Sequence, residues 1–463
     1  MINSLNSEGK TMRQIQWIII VLIVILLGGI PIPHAYAVEA LSTSDLETRL
    51  TREAALADLI TYAYRENPSI MMAREEWRAA MEKYRVVTGY PDPQVMVTYF
   101  PEPIETRLGP QDWNANISQM IPFPGKLSKA GEVVEADVRI ARLKLDKAVR
   151  DLIVSIRESF HELLYIREAK NVTAQNIELL AHLRKVGETA YAQDRAAFLD
   201  MVKAQSQSGQ LRYDALLLEE LEQTEKVQLN GLLNRPPGAE IGRLKAEVFR
   251  SLVYGLEELY KLAEVNQEEI RMAEAGVEKA GARVDLARLQ NLPDFKLGLF
   301  YGSIGDPDVP RPPSDAGRDA VGVQAGMTIP LWFGKNRGRI DQARAKLKRA
   351  KAAKTSRINQ THTQIRRLYF RLENARRLME LYGEELLPQA AKAMEIAETW
   401  FREGESSFSD FVETQAVWYN FQLALARASA DYGKNLVRLE RLVGKSITER
   451  KGAPVEDTGR GGR

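Results

Sequence analysis

Apolar residues recur at steps of three and four along two long stretches of the chain. In the first, Val138, Ala141, Leu145, Val149, Leu152, Ile156, Phe160 and Leu163 form one stripe, and no proline interrupts residues 126–194. In the second, Ile365, Leu368, Leu372, Ala375, Met379, Tyr382 and Leu386 repeat the pattern with a near-heptad period. Such stripes predict amphipathic helices packed lengthwise on other helices. At 1.5 Å per residue the first helix would reach on the order of 100 Å. A compact domain needs no such length, whereas a duct crossing an aqueous compartment does. A soluble coiled-coil scaffold would satisfy the helical pattern equally well.

Between the helical stretches the period shortens to two. Val95, Val97 and Tyr99 share one face, and Trp113, Ala115 and Ile117 alternate with Asn114, Asn116 and Ser118. Phe295, Leu297, Leu299 and Tyr301 alternate with Lys296 and Gly298. Val321, Val323, Ala325, Met327 and Ile329 alternate with Gly322, Gln324, Gly326 and Thr328. These runs predict two β-hairpins, over 94–121 and 294–330, patterned as transmembrane barrel strands are. Surface hairpins of soluble proteins alternate too. Tyr99, Trp113, Phe295 and Tyr301 stand near strand ends, where an interfacial aromatic girdle would lie. Small barrels begin at about eight strands, so a four-stranded chain in a membrane must oligomerise.

The chain is written twice. Pro91-Asp92 is echoed by Pro293-Asp294, and Ile121-Pro122-Phe123-Pro124-Gly125-Lys126 by Ile329-Pro330-Leu331-Trp332-Phe333-Gly334-Lys335. Tyr191 with Phe198-Leu199-Asp200 is echoed by Phe401 with Phe408-Ser409-Asp410. The echoes keep their order at a separation of about two hundred residues. Each half therefore reads as helix, two strands, very long helix, turn and return helix, over 38–240 and 241–445. Residues 446–463 are polar and glycine-rich, a disordered tail by composition. Residues 1–37 read as a signal peptide: Lys10 and Arg13, an apolar run from Ile18 to Ile30, then Ala35-Tyr36-Ala37 before a mature start at Val38. Met12 is an alternative initiator. An uncleaved anchor is the competing reading; the apolar run is short for a span, and Pro31 and Pro33 follow it closely.

Lys plus Arg number 64 against 62 Asp plus Glu, so no net field draws the chain onto nucleic acid. Cysteine is absent, which excludes disulfides, thiolate metal sites and a cysteine nucleophile. His161, His182 and His362 stand isolated, without the paired spacing of a metal site. Met71 and Met72 are adjacent and point apart on a helix, which suits packing. No phosphate loop, nucleophile elbow or zinc-hydrolase motif occurs. The reading is therefore not an enzyme, with no cofactor and no resident metal.

With these patterns in place, the chain resembles the outer-membrane efflux protein family typified by TolC. Glu66-Asn67-Pro68 within 56–70 resembles that family's opening helix. Ile329-Pro330-Leu331 running into Gly334-Lys335-Asn336-Arg337-Gly338 resembles its strand-to-helix turn. Phe401 to Ala416, with Gly404 and Asp410-Phe411-Val412-Glu413, resembles its coiled-coil tip and return helix. The resemblance implies a mainly α fold with a small β part: a long helical barrel in the periplasm below a twelve-stranded β-barrel shared by a homotrimer in outer-membrane lipid. It implies a periplasmic adaptor and an inner-membrane RND pump as partners. The two Pro-containing turns look closest to the heavy-metal (cobalt–zinc–cadmium or copper–silver) branch. Drug efflux and type I protein secretion remain alternatives, as does a periplasmic adaptor or scaffold.

Asp410 and Glu413, three apart on the return helix, share a face. Carboxylates matching them line the family's periplasmic constriction, and three copies would make a ring of acids that restricts a pore. The first repeat places Asp200 and Lys203 there, and this helix could pair with its neighbour's acids. A solvated helix face is the plainer reading. Tyr191, Asp194, Phe401, Glu403, Gly404 and Glu405 mark the two tips, the expected adaptor contacts, unless they only close the turns.

Overall fold

The computed structural model describes residues 43–192, 198–245, 251–403 and 405–448. The expected signal peptide lies outside them. The chain separates into two units, up to Thr48 and from Arg49 onward. Of the first unit only the beginning of helix α1 (Thr43–Arg52) is described. All that follows concerns the second.

Strand β1 (Glu53–Ala54) pairs in parallel with β4 (Arg243–Leu244) and tethers the start of one repeat to its end. Helix α2 (Leu56–Glu66) stops at Asn67, held extended by the proline that follows it. Asn67 caps α3 (Pro68–Thr88), its side chain accepting from the Ser69 N–H at 2.9 Å, with Pro68 in the first turn. Strands β2 (Gln94–Thr106) and β3 (Gly109–Ile121) form the first hairpin. Helix α4 (Lys126–Ala192) runs unbroken for 67 residues, about 100 Å of rise, and α5 (Phe198–Leu233) returns.

The second repeat retraces this plan. Helices α6 (Leu256–Asn266) and α7 (Glu268–Leu289) lead to β5 (Phe295–Ile304) and β6 (Ala320–Met327). Helix α8 (Phe333–Glu380) then passes through a π-helical turn, Leu381–Leu386, into α9 (Leu387–Glu403), and α10 (Phe408–Val443) returns. The π turn ends just before Pro388. Proline lacks the N–H that would bond Glu384 and its ring crowds that carbonyl, so the preceding turn widens.

The predicted stripe on α4 is the buried one. Ala141, Leu145, Ile156, Phe160 and Leu163 are all at most 8% exposed. On α8, Ile365, Leu372 and Ala375 join Leu259 and Ala263 of α6 and Leu436, Leu439 and Val443 of α10 in one core. The tail reading needs correction at its start. Ile447 is fully buried in that same core, and Thr448 bridges to Leu252. An apolar residue three positions past the helix cap Gly444 was the missed signal. Residues 449–463 lie outside the described residues.

Candidate pore and gate elements

The two hairpins join into one antiparallel sheet of order β2-β3-β5-β6. Its register aligns Val95, Val97 and Tyr99 with Ile117, Ala115 and Trp113. Ala115 and Ile117 lie beside Tyr301 and Leu299, and these in turn beside Val321 and Val323. One face of all four strands is thus apolar, broken by Gln119. The other carries Asn114, Asn116, Ser118, Lys296 and Gln324 among glycines, with Met96, Met120 and Phe300 as its apolar members. The apolar face is bare: Val97, Leu299 and Val323 are 64%, 57% and 80% exposed. Trp113 and Tyr301 pack ring on ring at 5.3 Å, with Tyr99 paired beside Trp113. Phe295 closes the opposite end, stacked on Phe123 at 6.4 Å. Six residues of strand separate Phe295 from Tyr301, about 20 Å at 3.3 Å per residue. Tyr99, Trp113 and Tyr301 thus lie toward one end of the apolar face and Phe295 at the other. Among the described residues, both sheet edges, β2 and β6, have no partner strand.

Where sheet meets helices, Lys126 and Asp294 form the junction between repeats. The Lys126 ammonium lies 2.7 Å from Asp294 Oδ1 and donates to the Leu292 carbonyl at 2.8 Å. The Phe123 N–H donates to the same Asp294 oxygen at 2.8 Å. Burial pushes Asp294 up, yet the ammonium and the N–H together hold its carboxyl below the usual carboxylate range.

At the other end of the helices, Asp410 and Glu413 are both exposed on the first turns of α10. Asp410 also has a local task. Its N–H donates to Ser407 Oγ at 3.1 Å and its carboxylate accepts from the Ser407 N–H at 3.2 Å, a reciprocal capping box. Between the two acids, Phe411 and Val412 are buried. Lys203 of α5 donates to Ser409 Oγ at 2.9 Å in the same chain, beside Asp410 rather than on it. Asp200 is helical in α5, and its side chain is outside what is described.

At the tips, Tyr191 is in the last turn of α4, and Asp194 and Gly404 lie outside the described residues. Phe401 is not offered to a partner: it is 8% exposed and stacks on Phe411 at 6.1 Å and 8°. An aromatic one turn from a helix reversal folds inward because its apolar area is worth more buried. Glu403 and Glu405 are exposed. Trp400, which the sequence reading passed over, faces outward, 51% exposed, its carbonyl accepting from the Glu405 N–H at 2.8 Å.

Beyond Asp410 and Glu413 along α10 lies a polar seam with α4 that sequence reasoning also missed. Gln415 and Asn176 are fully buried and hydrogen-bonded to each other. Thr173 and Tyr419 share a hydrogen bond at 3.0 Å three residues away on α4. Nothing in sequence spacing pairs positions so far apart.

Residues 259–445, nearly all of the second repeat, match the family model described as outer membrane efflux protein. No curated protein sequence matches the chain. Among solved structures, the outer membrane protein VceC of Vibrio cholerae superposes with a TM-score of 0.69 at 19% identity, over 85% of this chain and 96% of its own. The outer-membrane channel OprN gives 0.71 at 17%, over 84% of this chain and 89% of its own. CusC, whose structures concern folding and transmembrane channel formation, gives 0.70 at 14%, over 84% and 92%. The fold is the one these channel proteins share. Their scores are nearly equal, so the fold singles out no branch among them.

Proposed function

We propose that the protein is the outer-membrane exit duct of a tripartite efflux pump, working as a homotrimer with a periplasmic adaptor and an inner-membrane RND pump. The observation that carries this reading is the four-stranded sheet, bare and apolar on one face, mostly polar or glycine on the other, and open at both edges among the described residues. A soluble scaffold would not leave an apolar face of this extent in water. Three copies edge to edge supply twelve strands, the apolar face toward lipid and the polar face toward a lumen. The long helices continue that wall away from the membrane, and the acids Asp410 and Glu413 narrow its far end. Asp200, Glu403, Glu405 and the turns around Tyr191, Asp194 and Gly404 belong to the same gate and tip regions.

Heavy-metal cations are the cargo that the two repeat turns favour. One observation favours an organic cargo instead, drugs or secreted polypeptides: residues 335–357 of α8 carry Lys or Arg at ten positions against the single acid Asp341. A wall so basic repels metal ions wherever it faces the passage. The deciding experiment is the native mass of the protein extracted in detergent from purified outer membranes, followed by conductance in a planar bilayer. A conducting trimer supports the duct, and a soluble monomer or dimer overturns it. Ion selectivity across a salt gradient then separates the cargo readings.

A further inference from the structure

The internal duplication makes the junction between repeats a template for the junction between chains. Inside one chain, β3 leads into Lys126 and Asp294 leads into β5, and the two side chains close the seam where the strands pair. Only 11% of the Lys126 side chain and 24% of that of Asp294 are exposed. The repeat places Asp92 ahead of β2 as Asp294 stands ahead of β5, and Lys335 after β6 as Lys126 stands after β3. Asp92 and Lys335 are both exposed, and neither has an ion-pair partner among the described residues. They stand at the two open edges of the sheet, so one chain cannot bring them together.

We propose that Lys335 of one copy and Asp92 of the next form an ion pair that repeats the Lys126–Asp294 lock and closes each seam of the ring. The proposal rests on the oligomeric duct reading and adds the residues and register of its contact. Helix register supports it independently. Within the chain α4 runs antiparallel to α7: as α4 descends through Asp137, Arg139 and Arg150, its partners run back through Lys279, Glu278 and Glu268. The corresponding edge helices are α8 and α3. The free edge of α3 presents Met72, Glu75, Ala79, Glu82 and Val86, all exposed and spaced by threes and fours. The free edge of α8 presents Gly338, Ala345, Arg349 and Ala352, small residues flanking a cation. Counted back from Asp92 and onward from Lys335, the in-chain register sets Glu75 opposite Arg349 and Val86 opposite Gly338. Opposite charges meet, and small residues let the helices approach.

The chain contains no cysteine, so a pair introduced by Asp92→Cys and Lys335→Cys is a clean probe. The thiol-reactive crosslinker is one that bridges the internal pair Lys126→Cys/Asp294→Cys within a single chain, yielding no covalent dimer. The full protein in outer-membrane extracts should then yield covalent dimers and trimers from the double variant and neither from the single ones. Asp92→Lys or Lys335→Asp alone should lower trimer recovery about tenfold, because like charges then meet in a seam used three times. The double charge exchange should restore it. A wild-type trimer with no crosslinked species and no rescue would overturn the seam and leave the duct standing. A wild-type monomer would overturn both.

Discussion

Stability should fall between neutral pH and about pH 4 because of a single histidine. His161 of α4 is 4% exposed, wedged against α10 where Gly433 leaves room for it. A Cβ on residue 433 would come within 2.6–2.7 Å of three ring atoms, so the ring packs directly on the glycine backbone. Burial, with the neighbouring cations Arg157 and Lys434, pushes the imidazole down from 6.5 to about 4. Below pH 6.5 the unfolded chain takes up a proton that the folded chain refuses, and below about 4 both hold it. The folded state therefore loses stability as pH falls through that window and is level on either side. A shift of this size corresponds to about 3 kcal/mol per chain at the lower end. The assay is the midpoint for thermal loss of helical circular dichroism at fixed scan rate and ionic strength, from about pH 7.5 to about pH 4.5. Carboxylates titrate in the same range, so the quantity read is the difference between wild type and His161→Gln. The wild type should lose a few degrees more than the variant across the window. Parallel curves would refute the reasoning, since they would mean that the ring titrates alike folded and unfolded.

Asp294→Ala should destabilise the repeat junction by about 2–4 kcal/mol, because it strands the Lys126 ammonium and the Phe123 N–H together; the same thermal assay reads it, and a loss below about 0.5 kcal/mol would contradict the burial argument. Replacing both Asp410 and Glu413 with Ala should raise single-channel conductance, and an unchanged conductance removes them from the gate. The Asp410 half of that change also removes a capping box, at about 1 kcal/mol, which the melting curve reports separately. Reversing Glu403 and Glu405 to Lys should weaken chemical crosslinking to the adaptor, while equal crosslinking would confine these acids to solvent.

Periodicity made the elements legible, and duplication made much of their arrangement legible. The step of two at Val95–Tyr99 and Leu297–Tyr301 specifies which face of each strand is apolar, because a pleated strand alternates strictly. The pairing of β3 with β5 joins segments well over a hundred residues apart, and no local pattern carries it. Pro388 does announce the π turn, for a proline within a helical stripe must disturb the turn before it. Ser407 and Asp410 announce a capping box in the same local way. Phe401 and Trp400 show the limit: adjacent aromatics at one tip go to opposite environments, and only the packing against Phe411 tells them apart. The buried pair Asn176–Gln415 is less legible still, since a polar residue on a long helix reads as solvent-facing until its partner is known.

The long helices raise a question of register that their apolar stripes cannot answer. A regularly repeated stripe packs almost as well after a slip of one repeat, eleven residues in the 3-4-4 spacing of α4, so burial alone leaves α4 and α10 more than one alignment. Charges break that degeneracy. Arg157 pairs with Glu440, Arg438 with Glu158, Arg441 with Asp151, and Lys434 and Arg427 both with Glu162. A slip would separate these pairs together and face Glu158 and Glu162 with the wrong part of α10. Each pair adds little net stability where it is half exposed. Their joint effect is specificity, because the displaced alignments lose all of them at once. The same reasoning explains why the repeat junction is locked by Lys126 and Asp294 at one end while buried hydrogen bonds hold Asn176 to Gln415 toward the other. Helix α4 is thus held to the second repeat at two distant points, to the segment ahead of β5 through Lys126 and to α10 through Asn176.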